Sequence, residues 1–215
     1  MKRRFFILLL LLVFVIQDVA SQNVPTLLSA NEREAFSRLL SQVASVSESI
    51  SADFSQQKSI PMLKNKMVSK GVFLYKREDK IAFLYNHPAE YHMIINGDKL
   101  RLRSDGSDNT MDLKNNPVMG EVRGLISASF LGRISDSDRS YTIDYHSMQG
   151  VVIVTVTPLN KQLLSVIKKI TISFNSKSAD IERLRIEEGS GGYTEYIFSN
   201  QKRNIVLNDE VFRVN

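Results

Sequence analysis

Apolar and polar side chains alternate along most of this chain, and that period of two predicts strands rather than helices. Asn96-Gly97 separates two such runs, and this pair readily takes the left-handed conformations of a tight hairpin turn. The predicted strands lie near Ser51–Lys58, Val68–Arg77, Lys80–Asn86, Tyr91–Asn96, Lys99–Arg103, Asn109–Leu113, Tyr141–His146, Val151–Thr157, Ile170–Phe174, Ile181–Glu187, Tyr193–Ser199 and Val211–Val214.

Two segments have helical spacing instead. Asn31 followed by Glu34 is typical of a capping box, and the apolar stripe after it predicts a first helix. That stripe consists of Phe36, Leu39, Leu40, Val43 and Val46. Pro117 is expected to open a second helix, whose apolar face consists of Val122, Leu125, Ile126 and Phe130. A turn is expected near Lys161 to Val166, and Asn23 to Ser29 is interpreted as a loose leader.

Several strands are apolar on both faces. Met93 and Ile95 point to one side of their strand and Ile94 points to the other, whereas an antiparallel strand usually buries one face. Strands lie about 4.8 Å apart and a helix is about 10 Å wide, so one helix covers roughly two strands. Two helices would therefore leave much of the sheet uncovered. Two architectures fit: a curled sheet that is hollow on its concave side, or a fully packed barrel or sandwich.

The N-terminus has the pattern of a secretory signal peptide. Lys2, Arg3 and Arg4 precede an unbroken apolar run from Phe5 to Ile16, and small residues follow. We expect cleavage after Ser21, which divides the chain into a signal peptide (1–21) and one domain (22–215). The apolar run is short for a membrane span, although a retained anchor is the alternative.

Composition excludes several classes of function. The sequence has no cysteine, which removes disulfides, thiol catalysis and lipid attachment at a cysteine. Residues 1–21 carry three basic side chains and one acidic side chain, so their removal lowers the net charge from +5 to +3. That charge is too small to predict a nucleic-acid partner. No histidine has metal-ligand spacing, and no nucleophile motif is present, so we expect no metal, no cofactor and no enzymatic activity.

The stretch from Gly71 to Arg103 resembles the periplasmic outer-membrane lipoprotein carrier family, LolA. Family members commonly show a glycine opening a strand, an aromatic strand after Lys/Arg-Arg-Pro, and an Asp/Asn-Gly turn before Lys-x-Leu. These features correspond to Gly71, Lys76-Arg77, Phe83, Pro88, Asn96-Gly97 and Leu100. Weaker matches extend over nearly all of residues 22–215, through Phe54 and Gln56 upstream and Pro158, Ile172, Phe174, Phe198 and Phe212 downstream.

The resemblance implies a mainly β (α+β) fold, an incomplete, curled antiparallel β-barrel of about eleven strands with a helical lid. The lid would close a hydrophobic cavity that holds lipoprotein acyl chains during transit between the membranes, and the excess apolar surface would face lipid. The implied cavity residues are Phe73, Tyr75, Phe83, Met93, Ile95, Val122, Leu125 and Ile126. Arg77 would be a latch that bonds the sheet to backbone carbonyls of the lid.

The implied partners are lipoprotein acyl chains, an inner-membrane lipoprotein-releasing transporter and an outer-membrane acceptor. A monomer without stable membrane insertion is expected. On spacing alone, Val122, Leu125 and Ile126 fit either a lid or an ordinary core helix. Alternatives for the same fold are a lipid-binding envelope-stress sensor or regulator and a carrier of another lipid or glycolipid. Glu78 replaces the family's proline, and many carriers continue beyond the position of Asn215.

Overall fold

A single antiparallel sheet forms most of the molecule. The computed structural model describes residues 24–115, 118–121, 123–124, 128 and 140–215. The strands are β1 (Thr26–Leu27), β2 (Ser49–Ser59), β3 (Met67–Lys76), β4 (Lys80–His87), β5 (Tyr91–Asn96), β6 (Lys99–Ser104), β7 (Ser107–Asp112), β8 (Tyr141–Met148), β9 (Val151–Pro158), β10 (Ile167–Asn175), β11 (Ile181–Glu188) and β12 (Tyr193–Arg203). The helices are α1 (Ala30–Val46) and α2 (Lys161–Leu164), with 3-10 turns at Leu113–Asn115 and Asp209–Phe212. Residues 118–121, 123–124 and 128 are also helical.

The sheet has twelve strands in the order β1-β8-β9-β10-β11-β12-β2-β3-β4-β5-β6-β7. It does not close into a barrel, because β1 and β7 stand at opposite ends of the order. A twisted sheet of this size curls, and its concave face carries the larger core cluster. The prediction of a curled, incomplete antiparallel sheet is confirmed, with twelve strands rather than about eleven.

Helix α1 covers part of the concave face. Its N-cap is Ser29, whose hydroxyl accepts a hydrogen bond from the Glu32 amide while the Glu32 carboxylate accepts one from the Ser29 amide. The capping box predicted at Asn31 and Glu34 was therefore placed two residues late. Phe36 anchors the helix through an edge contact with Phe174 of β10, at 5.7 Å between ring centroids.

Two other expectations fail at the ends of the domain. Thr26–Leu27 is a short strand paired with β8, so this segment is not a loose leader. Val211–Val214 is not a strand, because Asp209–Phe212 forms a 3-10 turn.

The expected turn at Lys161–Val166 contains the short helix α2.

The convex face of β3, β4 and β5 is covered by the C-terminal segment of the chain, which comprises residues 204–215 after β12. Leu74, Ala82 and Ile94 form a second buried cluster with Phe212 and Val214. The expectation that all the excess apolar surface faces lipid is therefore wrong. Ile94 is 5% exposed because the C-terminal segment packs on it.

Two glycine-containing sites depend on close backbone approach. A Cβ on Gly71 would lie 2.1 Å from the Leu84 carbonyl oxygen, so no other residue fits where β3 meets β4. In the turn between β11 and β12, a Cβ on Gly192 would lie 2.5 Å from the Ser59 carbonyl oxygen. Glycine here lets the end of β2 approach this turn.

Candidate ligand cavity

An apolar cavity of about 600 Å³ opens within the concave face. Its volume falls in the range of roughly 300–1,000 Å³ typical of small-molecule sites. Its apolar walls come mainly from β4, β5, β6 and the helical residues after β7. The described residues that line it are Gln56, Lys58, Ser69, Phe83, Tyr85, Pro88, Ala89, Tyr91, Met93, Ile95, Leu100, Leu113, Met119, Arg123, Ile186, Glu188, Thr194 and Tyr196.

Strand alternation places the cavity side chains on one face. Phe83 pairs with Met93 across β4 and β5, and Ile95 pairs with Leu100 across β5 and β6. Directly opposed residues in an antiparallel pair project to the same side, so these four form a continuous apolar wall. Met119 extends this wall from the helical segment.

A small polar network interrupts the apolar wall. The Gln56 amide donates a hydrogen bond of 2.9 Å to the Tyr196 hydroxyl, which lies 3.0 Å from the Tyr85 hydroxyl. Burial raises the pKa of Tyr196 well above its ordinary value, and the neighbouring Tyr85 contributes. Burial also raises the pKa of Tyr85 and of Tyr91. These phenols therefore stay neutral at physiological pH and add no charge to the cavity.

Charged side chains on the cavity wall are paired. Glu188 lies 3.8 Å from Lys58 and accepts a hydrogen bond of 3.0 Å from the Thr194 hydroxyl. Arg123 donates to the Gly97 carbonyl and lies 3.1 Å from the Asp98 carboxylate. Arg123 thus ties the helical segment to the Asn96-Gly97 turn. Sequence patterns did not single out Arg123, because its partners lie about 25 residues away along the chain.

The structure brings together Phe83, Met93 and Ile95 of the predicted set on the cavity wall. Phe73 and Tyr75 lie on the same face, buried within the larger core cluster, and they are not among the residues that line the cavity. The Phe73 ring packs 5.0 Å from Phe83 and 5.7 Å from Phe198. A ligand contact for Phe73 and Tyr75 stays a prediction. Val122, Leu125 and Ile126 lie outside the described residues.

Sequence reasoning missed several wall residues, chiefly Tyr85, Tyr91 and Tyr196. Tyr85 and Tyr91 share the alternation of Phe83 and Met93, so the period of two would have included them. Tyr196 could not be found in this way, because β12 joins this region only through its pairing with β2.

Arg77 follows the end of β3 and contacts the C-terminal end of α1. Its guanidinium donates to the carbonyl oxygens of Ser45 and Ser47, the latter at 3.3 Å. It also forms an ion pair of 2.9 Å with Glu48. The end of a helix leaves its last carbonyls without helical partners, and a planar guanidinium satisfies two of them at once.

The described residues contain no group of acidic and histidine side chains placed to hold a metal ion. Among the helices in the described part of the chain, none has both the length and the apolar content to cross a bilayer. A curled sheet around an apolar cavity defines a class of protein, one that binds an apolar ligand.

Comparison with known proteins identifies the family. The family described as "Outer membrane lipoprotein carrier protein LolA" matches residues 45–215. This chain belongs to that family, which confirms the resemblance found in the sequence. No curated protein matches the chain.

Solved structures with a similar fold have little sequence identity to this chain. The MucA/MucB complex of Pseudomonas aeruginosa has a TM-score of 0.50 at 10% identity, covering 86% of this chain and 62% of that one. Lipoprotein LppX of Mycobacterium tuberculosis has a TM-score of 0.47 at 11% identity, covering 84% and 100%. A LolA superfamily protein of Nitrosomonas europaea has a TM-score of 0.44 at 11% identity, covering 84% and 96%.

Proposed function

We propose that this protein is a periplasmic carrier that binds lipoprotein acyl chains in the cavity and shuttles them from the inner to the outer membrane. A lipoprotein-releasing transporter would load it and an outer-membrane acceptor would unload it. The protein would be exported with cleavage near Ser21, act as a monomer and catalyse no reaction. The observation that supports this proposal best is the apolar cavity of about 600 Å³ in a chain of the lipoprotein carrier family.

A carrier must release what it binds. Burying one methylene contributes about 0.8 kcal/mol, so one chain of ~15 carbons contributes on the order of 10 kcal/mol. Release at a useful rate therefore requires that the empty cavity recover part of those contacts. In this proposal Val122, Leu125 and Ile126 fill the cavity when it is empty, so lipid exchanges one set of apolar contacts for another. Arg77 and Arg123 would hold the covering helices in place.

Native mass spectrometry of protein purified from the extracytoplasmic fraction tests the proposal directly. We expect bound lipoprotein, identified by its mass and by its peptides after digestion. Protein that carries another lipid class would support a different cargo for the same cavity. Protein without acyl ligand would contradict the proposal, provided that it also fails to bind a fluorescent acyl probe.

A matched pair of variants locates the binding site. Ser69 lines the cavity, whereas the adjacent Lys70 is exposed and projects to the opposite face of β3. Ser69→Trp should fill part of the cavity and lower acyl-probe affinity at least tenfold, while Lys70→Trp should bind normally. The chain has no native tryptophan, so the emission of each variant also reports its local environment. Equal affinities in the two variants would argue against this cavity as the acyl site.

A second candidate function is regulation of a protein partner. The fold similarity to the MucA/MucB complex, in which two proteins assemble, is the observation that favours it. A regulator should co-purify with one membrane protein and carry no lipoprotein. Crosslinking in intact cells followed by mass spectrometry distinguishes this outcome from the carrier.

A further inference from the structure

The loop between β2 and β3, together with the first two residues of β3, exposes an unusual amount of apolar surface. Residues 61–68 are all exposed, and Met62 is 93% exposed. Leu63, Met67 and Val68 are 52%, 53% and 44% exposed. Scattered apolar side chains are common on protein surfaces, but four within seven consecutive residues form a patch that indicates a binding surface.

The tip of this loop is a short turn. The Leu63 amide donates a hydrogen bond of 2.9 Å to the Ile60 carbonyl, which closes a four-residue turn with Pro61 in its second position. Proline fixes the backbone there, so the turn presents Met62 and Leu63 at little cost in conformational entropy. Pro61 also lies against the turn between β11 and β12, since a Cβ on Gly192 would be 3.3 Å from its ring.

The electrostatic character of the patch is positive. Residues 54–77 contain no aspartate or glutamate, and Lys58, Lys64, Lys66 and Lys70 flank the apolar side chains. Glu188 pairs with Lys58 at 3.8 Å, and Lys66 lies over the Tyr193 ring at 5.6 Å. Apolar side chains surrounded by lysine match the interface of an anionic bilayer, where the headgroups are negative and the acyl boundary is apolar.

The patch adjoins the cavity. Lys58 and Ser69 line the cavity, and Met67 pairs directly with Lys58, so Met67 continues the cavity face outward. We propose that the loop between β2 and β3 docks the protein on anionic phospholipid membranes, with Met62 and Leu63 entering the headgroup–acyl boundary. Docking in this way places the rim of the cavity next to the bilayer surface. This membrane contact does not depend on which ligand the cavity takes.

The absence of cysteine allows a site-specific test. A single Met62→Cys variant, labelled with an environment-sensitive fluorophore, should shift its emission to the blue on vesicles of phosphatidylglycerol and phosphatidylethanolamine. Val206→Cys is the matched control, because Val206 is fully exposed next to the start of β2. The 11 residues of β2 place these two positions roughly 33 Å apart. We expect no shift at position 206, and no shift at position 62 on phosphatidylcholine vesicles.

Sedimentation with the same vesicles distinguishes the contribution of the lysines from that of the apolar side chains. The variant Lys64→Gln/Lys66→Gln should bind anionic vesicles roughly 20-fold more weakly, with a smaller dependence on salt. Met62→Ser/Leu63→Ser should abolish the emission shift of a label at Lys64→Cys, while melting temperature stays unchanged because both residues are exposed. Equal shifts at positions 62 and 206 would overturn the proposal. Unchanged emission at position 62 would also overturn it and would favour a protein partner for this loop.

Discussion

At the scale of single residues, the turn between β3 and β4 explains a departure from the family pattern. Glu78 has φ of 71° and Asp79 has φ of 56°, so two consecutive residues adopt the left-handed conformation. Proline is fixed near φ of about −65° and cannot take this conformation. Glu78 in place of the family's proline is therefore what this hairpin requires.

Replacing Asp79 with glycine should stabilise the protein by about 1 kcal/mol, because glycine carries no steric penalty at positive φ. Urea unfolding measures the change as a higher midpoint with an unchanged slope. Glu78→Pro is the opposing control and should destabilise the protein by more than about 1 kcal/mol, because proline cannot adopt positive φ. Stability in Glu78→Pro equal to that of the native chain would contradict this account of the turn.

The contacts of Arg77 with the end of α1 predict a role in closing the cavity. Arg77→Leu should retain acyl-probe binding, because the cavity wall is unchanged, but should slow transfer to acceptor membranes. The reason is that α1 loses the donor to its Ser45 and Ser47 carbonyls, so closure competes less well with lipid. Arg77→Lys should restore only part of the rate, since lysine keeps the charge and loses the planar fork.

A transfer assay from loaded carrier to acceptor vesicles measures this effect. Arg38→Leu, at an exposed position on α1, serves as the control for loss of a surface arginine. Native transfer rates in Arg77→Leu would leave Arg77 as an ordinary turn residue.

At the scale of elements, the C-terminal segment behaves as a strap across the convex face. Side chains rather than strand pairing hold it: Asn96, Arg101 and Thr110 donate to the carbonyls of Phe212, Arg213 and Val214 at 3.0–3.1 Å. The strap buries Phe212 completely. This explains how β3 to β5 can be apolar on the convex face as well as on the face that carries the cavity.

Phe212→Ala should cost about 3–5 kcal/mol of unfolding free energy, the usual range for a buried phenylalanine. Val206→Ala, in the same segment but fully exposed, should change stability by no more than about 0.5 kcal/mol. Chemical denaturation of both variants measures the difference. Similar small losses in the two would show that the strap contributes little to the fold.

At the scale of the whole molecule, the buried tyrosines of the cavity link stability to alkaline pH. Burial raises the pKa of Tyr196, Tyr85 and Tyr91 in the folded protein. Since unfolding returns each phenol to an ordinary pKa near about 10, their stabilising effect is complete below that pH and is lost as pH rises above it.

Tyr196→Phe should therefore weaken the alkaline dependence of stability. The native protein should lose stability from pH 9 to pH 11 more steeply than the variant. Lysines titrate in the same range in both proteins, so their contribution cancels in the difference between the two stability curves. The variant should also be less stable near pH 7, because Gln56 and Tyr85 lose their hydrogen-bond partner. If the unfolding free energies of the two proteins fell in parallel with pH, the raised pKa of Tyr196 would not be the cause of the alkaline loss of stability.

The sequence by itself determined β2 to β12, the first helix and the family, because each depends on local periodicity or on ordered short motifs. The period of two located β5 at Tyr91–Asn96 without error, and a Ser-x-x-Glu capping box lay two residues from the predicted one. Local patterns could not separate cavity wall from packed core. Phe73 and Phe83 are paired neighbours on the same face, yet only Phe83 lines the cavity.

Tertiary structure decided that difference, because the curvature of a twelve-stranded sheet sets where side chains meet and where they leave a void. It also decided the state of Val211–Val214, whose alternation is typical of a strand. Side chains of β5, β6 and β7 donate hydrogen bonds to its backbone carbonyls. Its apolar residues pack on the convex face of the sheet instead of forming a strand. Contacts between segments more than 100 residues apart leave no periodic signal in either segment, so only the folded chain could reveal them.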